Sequence, residues 1–231
     1  MGRLKNIVGS RVLPSIVAWG VPVLIVGCLL FVVNTRLSAN PEPTRPELES
    51  YLQTNNLPVG AESVDGFQQV YYIHNGVKVF VTKDRRNHMK PVTSGRYVSW
   101  SEVINGFPQI VLYDFLDKTR IQITQTGTNL DPDIWGDKIV WEGTSGGLQQ
   151  VFYFDGTEVA QISHDYMSVR PKIKDNNIIY AQYIPDEVDQ WRVISHIIDG
   201  SRGVNPDQVI VQGGEEIAWP RFDGENIKTT L

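Results

Sequence analysis

From Phe67 onward the chain sets down short apolar runs at a fixed interval. "VYYI" follows Gln69, "IVLY" follows Gln109 and "VFYF" follows Gln150. A fourth run, "VIS", comes after Gln190 and Trp191, and the four glutamines are spaced by 40, 41 and 40 residues. Two further registers keep the same interval. Pro91, Pro132 and Pro171 precede "GRYVSW", "GDKIVW" and "DNNIIY". Thr82, Thr124 and Ser163 close the alternating segments "VKVFVT", "TRIQIT" and "EVAQIS". Three registers sharing one period define a repeat of about forty residues. The runs are rich in β-branched and aromatic residues, so each predicts a strand.

The punctuation between the runs is that of hairpins. Asp65-Gly66, Asn105-Gly106 and Gly146-Gly147 precede the glutamine strands, and Asn75-Gly76, Asp155-Gly156 and Asp199-Gly200 come after them. Such pairs supply the positive φ angles of tight turns. Each unit therefore predicts a four-stranded meander, in the third unit near Asp133–Trp135, Lys138–Glu142, Gln149–Phe154 and Glu158–Ser163. Repeats of this length and strand count fit the blades of a propeller. The aromatics that end each second strand, Trp100, Trp141 and Tyr180, are then expected to pack between blades.

The pattern upstream is different. Val12–Val33 reads "VLPSIVAWGVPVLIVGCLLFVV" without a charge. As a helix it is long enough to cross a hydrocarbon core of about 30 Å. Arg3, Lys5 and Arg11 precede it, which predicts a cytoplasmic tail at 1–11 and export of the chain beyond the span. Two alternatives stay open: a cleaved signal peptide ending at "LSA" before Asn40, and a lipoprotein signal at "IVGC". Residues 34–60 form a proline-rich linker. Within it, Thr44 and Glu47 have capping-box spacing and Pro46 sits in the first turn, predicting a short helix over about 45–54. Its apolar face, Leu48, Tyr51 and Leu52, is expected to pack on the repeat domain, 61–231.

The stretch "DPDIWGDKIVWEG…QQVFYFDGTEVAQIS" resembles the repeat of TolB-type β-propellers. The resemblance covers roughly residues 60–227. It implies an all-β propeller of about four four-stranded blades behind the membrane helix and the linker helix. The first unit lacks a convincing opening strand, and "WPRFDGENIKTTL" supplies only the start of another. TolB-type rings usually have more blades than this sequence writes. Either the strands near Trp219–Thr230 join those near Phe67–Thr82 and close the ring, or the array stays open and its edge needs a partner.

Composition narrows the function. The net charge of −5 and pI of about 5.4 argue against nucleic acid. The single cysteine, Cys28, excludes an internal disulfide framework. "GTSGG" at 143–147 lacks the lysine of a phosphate loop, and there is no G-x-S-x-G elbow. Asp131, Asp133, Asp137 and Glu142 imitate the spacing of a calcium loop, but a strand through "KIVW" is incompatible with one. His74, His88, His164 and His196 show no short ligand spacing. No catalytic residue, metal or cofactor is therefore expected, and the repeated glutamines read as structural.

In the family resembled, the links from each outer strand to the next inner strand ring one mouth of the channel. Here those links are "KDRRNHMK", "QTGTNLD" and "HDYMSVR". Arg85, Arg86, His88, His164, Tyr166 and Arg170 bring cationic and aromatic groups to that rim, which suits an anionic peptide or glycan or a carboxylate-bearing protein. The sequence thus predicts a single-pass membrane protein whose extracytoplasmic propeller binds a protein partner in the cell envelope. An enzyme that processes glycans or peptides, using the propeller as its catalytic or gating part, is the alternative.

Overall fold

The computed structural model describes residues 42–185 and 191–198, together with the backbone of 208–213, 219–223 and 226–230. The expected membrane span at 12–33, the basic tail and Gln190 lie outside the described residues. Among the described residues no helix is long and apolar enough to cross a membrane.

One helix, α1 (Arg45–Leu52), precedes the strands. The Glu47 carboxylate accepts hydrogen bonds from the Thr44 backbone N–H at 2.7 Å and from its hydroxyl at 2.8 Å, which ties the N-cap residue to the first turn. Leu48 is buried against Leu57, Val70 and Tyr72, and Tyr51 and Leu52 pack beside it. The apolar face of α1 is thus spent on the strands, as its spacing predicted.

The strands form consecutive antiparallel meanders. The first sheet has three strands, β1 (Val59–Val64), β2 (Phe67–His74) and β3 (Val77–Phe80). The second holds β4 (His88–Ser94), β5 (Tyr97–Ile104), β6 (Phe107–Asp114) and β7 (Arg120–Gln122). The third holds β8 (Asn129–Trp135), β9 (Lys138–Ser145), β10 (Leu148–Phe154) and β11 (Val159–Gln161). The fourth holds β12 (Met167–Lys174), β13 (Asn177–Tyr183), β14 (Trp191–Ile197) and β15 (Gln208–Gly213). The first sheet corresponds to strands two to four of the later units, so the opening strand missing from its sequence is missing from the sheet.

The hairpins before the glutamine strands and the Asn75-Gly76 turn bear out the turn chemistry, whereas at Asp155-Gly156 only the glycine takes a positive φ and Asp199-Gly200 lies outside the described residues. Asp65 and Gly66 have φ of 51° and 83°, and Asn105 and Gly106 have 53° and 86°, the paired positive values of a type I′ turn. The prolines have a role that the pattern does not reveal. In each inner strand the register slips just before Pro91, Pro132 or Pro171. The residue in front, Lys90, Asp131 or Arg170, takes a positive φ of 51° to 54°. These are β-bulges, and a proline inside one loses no ladder hydrogen bond.

Successive inner strands lie beside one another, β4 by β8, β8 by β12 and β12 by β16. The cores fall between the sheets. Trp100 packs on Val70 and Tyr72 of the first sheet, Trp141 on Ile110 and Leu112 of the second, and Tyr180 on Val151 and Tyr153 of the third. All three aromatics are fully buried. Aromatic side chains bring roughly 150–250 Å² of area each to such a gap.

The sequence leaves two readings open for the ends of the repeat array; the described strands show no pairing between those ends. β16 (Trp219–Asp223) and β17 (Asn226–Thr230) pair only with each other, in a two-stranded sheet of their own. β16 lies against β12 and β13, as the inner strand of a further unit would.

Candidate functional site

Strand direction assigns the loops to two ends. Each inner strand starts at the end where the preceding outer strand stops, and this link end also carries the hairpins between second and third strands. The far end carries the remaining turns. Helix α1 is held there, Arg45 to Asp117 at 2.9 Å and Glu42 to Lys118 at 3.1 Å. The link end is clear of both.

A repeated polar lock fixes the links. The Thr82, Thr124 and Ser163 hydroxyls accept the backbone N–H of Val70, Ile110 and Val151 at 2.8 to 2.9 Å. Thr124 and Ser163 in turn donate to the side-chain oxygens of Gln109 and Gln150 at 2.8 and 2.7 Å. Each glutamine amide then donates into its link: Gln69 to Asp84 O at 2.6 Å, Gln109 to Gly127 O at 2.8 Å and Gln150 to Tyr166 O at 3.1 Å. Those carboxamides are buried, so the repeat spends them on its own backbone.

The tips of the links are exposed and differ. Arg85 and Arg86 stand on the first, His164 and Tyr166 on the third, and Arg170 is exposed at the bulge of β12. Arg86 is tied back, donating to Glu102 at 2.7 Å. His88 is not on the rim: it begins β4 with no exposed surface, because its ring packs edge-on to Trp100 and bonds Gln68 O at 2.8 Å. Arg86 and His88 meet around Glu102, while His164 keeps company with Gln161 instead.

The hairpins at the same end add apolar groups that the sequence reading did not single out. Phe107 is 57% exposed, Leu148 41% and Val64 38%, beside Tyr166 at 41%. The signal was present: an apolar residue comes directly after the glycine of each Gly66, Gly106 and Gly147 turn. A cleft of about 600 Å³ opens on the first sheet at this end, lined by Phe67, Phe80, Asp84 and Arg85 among others.

Two buried carboxylates sit near the link end. Burial alone would raise the Glu102 carboxyl, but hydrogen bonds from Arg120 at 2.6 Å and Arg86 hold it below the usual range. Glu142 goes the other way. Burial pushes it up, reinforced by the nearby Asp131, and the hydrogen bond from Arg170 N at 2.7 Å offsets this only in part. Lys90 pairs with Asp131 across neighbouring inner strands. Two acids, Asp131 at its bulge and Glu142 on β9, thus lie between the cations of the neighbouring bulges, Lys90 and Arg170. Asp133, the other acid of the apparent calcium loop, instead accepts Ile173 N at 2.9 Å and joins two sheets.

Solved structures show the fold. The TolB of Acinetobacter baumannii superposes with a TM-score of 0.50 at 14% identity, over 69% of this chain and 41% of that one. A puromycin hydrolase carrying the S511A substitution, in complex with PGG, also gives 0.50, at 9% identity over 74% of this chain and 30% of its own. A TolB-like protein from Agrobacterium tumefaciens gives 0.48 at 18% identity, over 74% and 69% of the two chains. The chain therefore has a TolB-like β-propeller fold. It spans less than half the length of the Acinetobacter TolB and of the hydrolase. No known protein-family pattern matches the sequence, and neither does any curated protein.

Proposed function

We propose that this protein is a membrane-anchored, extracytoplasmic binding module that engages a protein partner of the cell envelope through its link end. The observation that carries this reading is the division of labour there. A buried glutamine amide donates into each of the three described links, while the exposed tips vary and combine Arg85 with Tyr166, Phe107, Leu148 and Val64. Arginine and aromatic groups on a rigid frame are what protein-binding hot spots use. Arg85 puts a cation on the rim of an acidic domain, which favours a partner that offers carboxylates. Residues 12–33 supply the anchor, with the basic tail on the cytoplasmic side. Likeness in fold to TolB supports a binding role by analogy alone.

Site-specific photocrosslinking in native membranes tests the reading. A crosslinker at Arg85 or Tyr166 should capture one discrete partner, and one at Asp137, in a far-end turn, should not. Arg85→Glu combined with Tyr166→Ala should abolish the capture made from Phe107, while the circular dichroism spectrum stays unchanged. Equal capture from both ends, or capture unaffected by the double substitution, overturns the proposal.

A further inference from the structure

We propose that Asp84, His88 and Glu102 form a site for one divalent cation of the zinc class, which clamps the link carrying Arg85 and Arg86. The chemistry starts at His88. Its Nδ1 lies 2.8 Å from Gln68 O. A carbonyl oxygen only accepts, so Nδ1 carries a proton, and in the neutral ring Nε2 presents its lone pair. That arrangement fixes the tautomer of a metal-binding histidine. The ring is wholly buried, yet Nε2 has no hydrogen-bond partner. It points between two carboxylates, 3.5 Å from Asp84 Oδ1 and 3.5 Å from Glu102 Oε2. In the neutral ring that lone pair faces two anions, an unfavourable arrangement that a cation, whether a proton or a metal ion, relieves.

The spacing suits such an ion. Ligands held tetrahedrally at about 2.0–2.1 Å from zinc lie roughly 3.3–3.4 Å from one another. The three ligand atoms here all fall within 4.8 Å of each other. Imidazole nitrogen with two carboxylate oxygens is a donor set that zinc accepts, leaving one position for water. Asp84 is half exposed and provides the entry route.

Comparison of the repeats isolates what is special. His88 faces Glu102 across β4 and β5. The equivalent pair in the third sheet is Asn129 and Gly143, and in the fourth Ser168 and Gln182. Those pairs are internally satisfied. Asn129 Oδ1 accepts the Trp141 indole N–H at 2.9 Å, and Gln182 donates to Ser168 at 3.3 Å. Only in the second sheet of the described residues does the pair become an imidazole and a carboxylate, and there the Trp100 indole turns to Glu102 at 3.2 Å. Asp84 completes the set from the link, four residues before His88.

Two guanidinium groups compete with the ion. Arg86 and Arg120 both bond Glu102. Arg120 holds Oε2, the oxygen nearest His88 Nε2, while Arg86 holds the other oxygen, Oε1, so its positive charge opposes the ion without occupying that ligand atom. The proposal therefore makes a prediction that runs against ordinary loss of function: removing Arg86 strengthens cation binding.

The test uses the untagged full chain in lipid nanodiscs, stripped with a chelator and titrated with zinc against a chromophoric competitor. The expected result is one zinc per chain with a dissociation constant of about 1 μM or below. Asp84→Asn should weaken binding by about 10-fold or more and His88→Gln by about 100-fold or more, as expected for lost ligands. Arg86→Gln should tighten it several-fold, and His164→Gln should leave it unchanged. X-ray absorption should report one nitrogen among oxygen neighbours at about 2.0 Å. If His88→Gln fails to fold, Asp84→Asn decides, since its side chain is half exposed. Absence of stoichiometric binding at about 100 μM zinc, far above the expected constant, or equal affinity in wild type and Asp84→Asn, overturns the proposal.

Discussion

The indole Nε1 of Trp141 donates to Oδ1 of Asn129 at 2.9 Å, while its ring stacks on Phe152 at 5.9 Å between centroids. The indole thus fills the gap between the second and third sheets, and its one polar atom is satisfied there. Trp141→Ala should cost roughly 3–5 kcal/mol, from lost apolar contact and the cavity left behind. Trp141→Phe should cost less, about 1–3 kcal/mol, because it leaves the Asn129 oxygen without its donor. Urea midpoints of the two variants check both size and order.

Gly143 faces the same cluster from two residues further along β9. A Cβ there would meet the Phe152 ring at 2.6 Å and Asn129 Oδ1 at 3.0 Å. Gly143→Ala should therefore destabilise by about 1–3 kcal/mol through overpacking, without any φ strain, since its φ is not positive. The near-ultraviolet circular dichroism of the Trp141–Phe152 stack should change with it.

The polar lock predicts a contrast between two small substitutions. In Thr124→Val the Ile110 N–H and the Gln109 oxygen both lose their buried partner, at a cost of about 1–3 kcal/mol. Thr124→Ser keeps the hydroxyl, as Ser163 already does at the equivalent place, and should recover most of that. Amide exchange at Ile110 should quicken in the first variant and stay slow in the second.

Glu102 and Glu142 should tilt the pH profile in opposite directions. The carboxyl of Glu102 is lowered on folding, so its contribution is present above the unfolded value of about 4.3 and is lost as pH falls through the folded one. Glu142 is raised on folding, so stability declines as pH rises past about 4.3 and levels off above its folded value. Glu142→Gln should remove that decline and gain stability at neutral pH, because the amide oxygen still accepts the Arg170 N–H. Glu102→Gln should lose about 1–3 kcal/mol at neutral pH, the partly exposed arginines softening the effect of a broken buried pair. Denaturant titrations from pH 3.5 to 7.5 separate the two.

Much of the scaffold was legible in the sequence. Periodicity two, Asx-Gly turns and a forty-residue repeat are local, backbone-level signals, and they placed the strands, the I′ hairpins and the short capped helix. The repeat also singled out Trp100, Trp141 and Tyr180 as the groups between sheets, because one aromatic per unit has one equivalent gap to fill. What it left undecided depended on which strand lies beside which. That β16 and β17 form a sheet of their own, separate from β1–β3, depends on strand neighbours that composition does not register. The bulges at Lys90, Asp131 and Arg170 appear only once the register of two strands is known. His88 illustrates the limit. Its place at the end of "KDRRNH" suggested a solvated rim, but one residue further along the strand direction the chain turns into the core. There β5 brings Glu102 opposite it, fourteen positions away in sequence and directly across in space. Side-chain type is written in the sequence; the burial that strips it of water, and the neighbour that answers its charge, are set by tertiary packing.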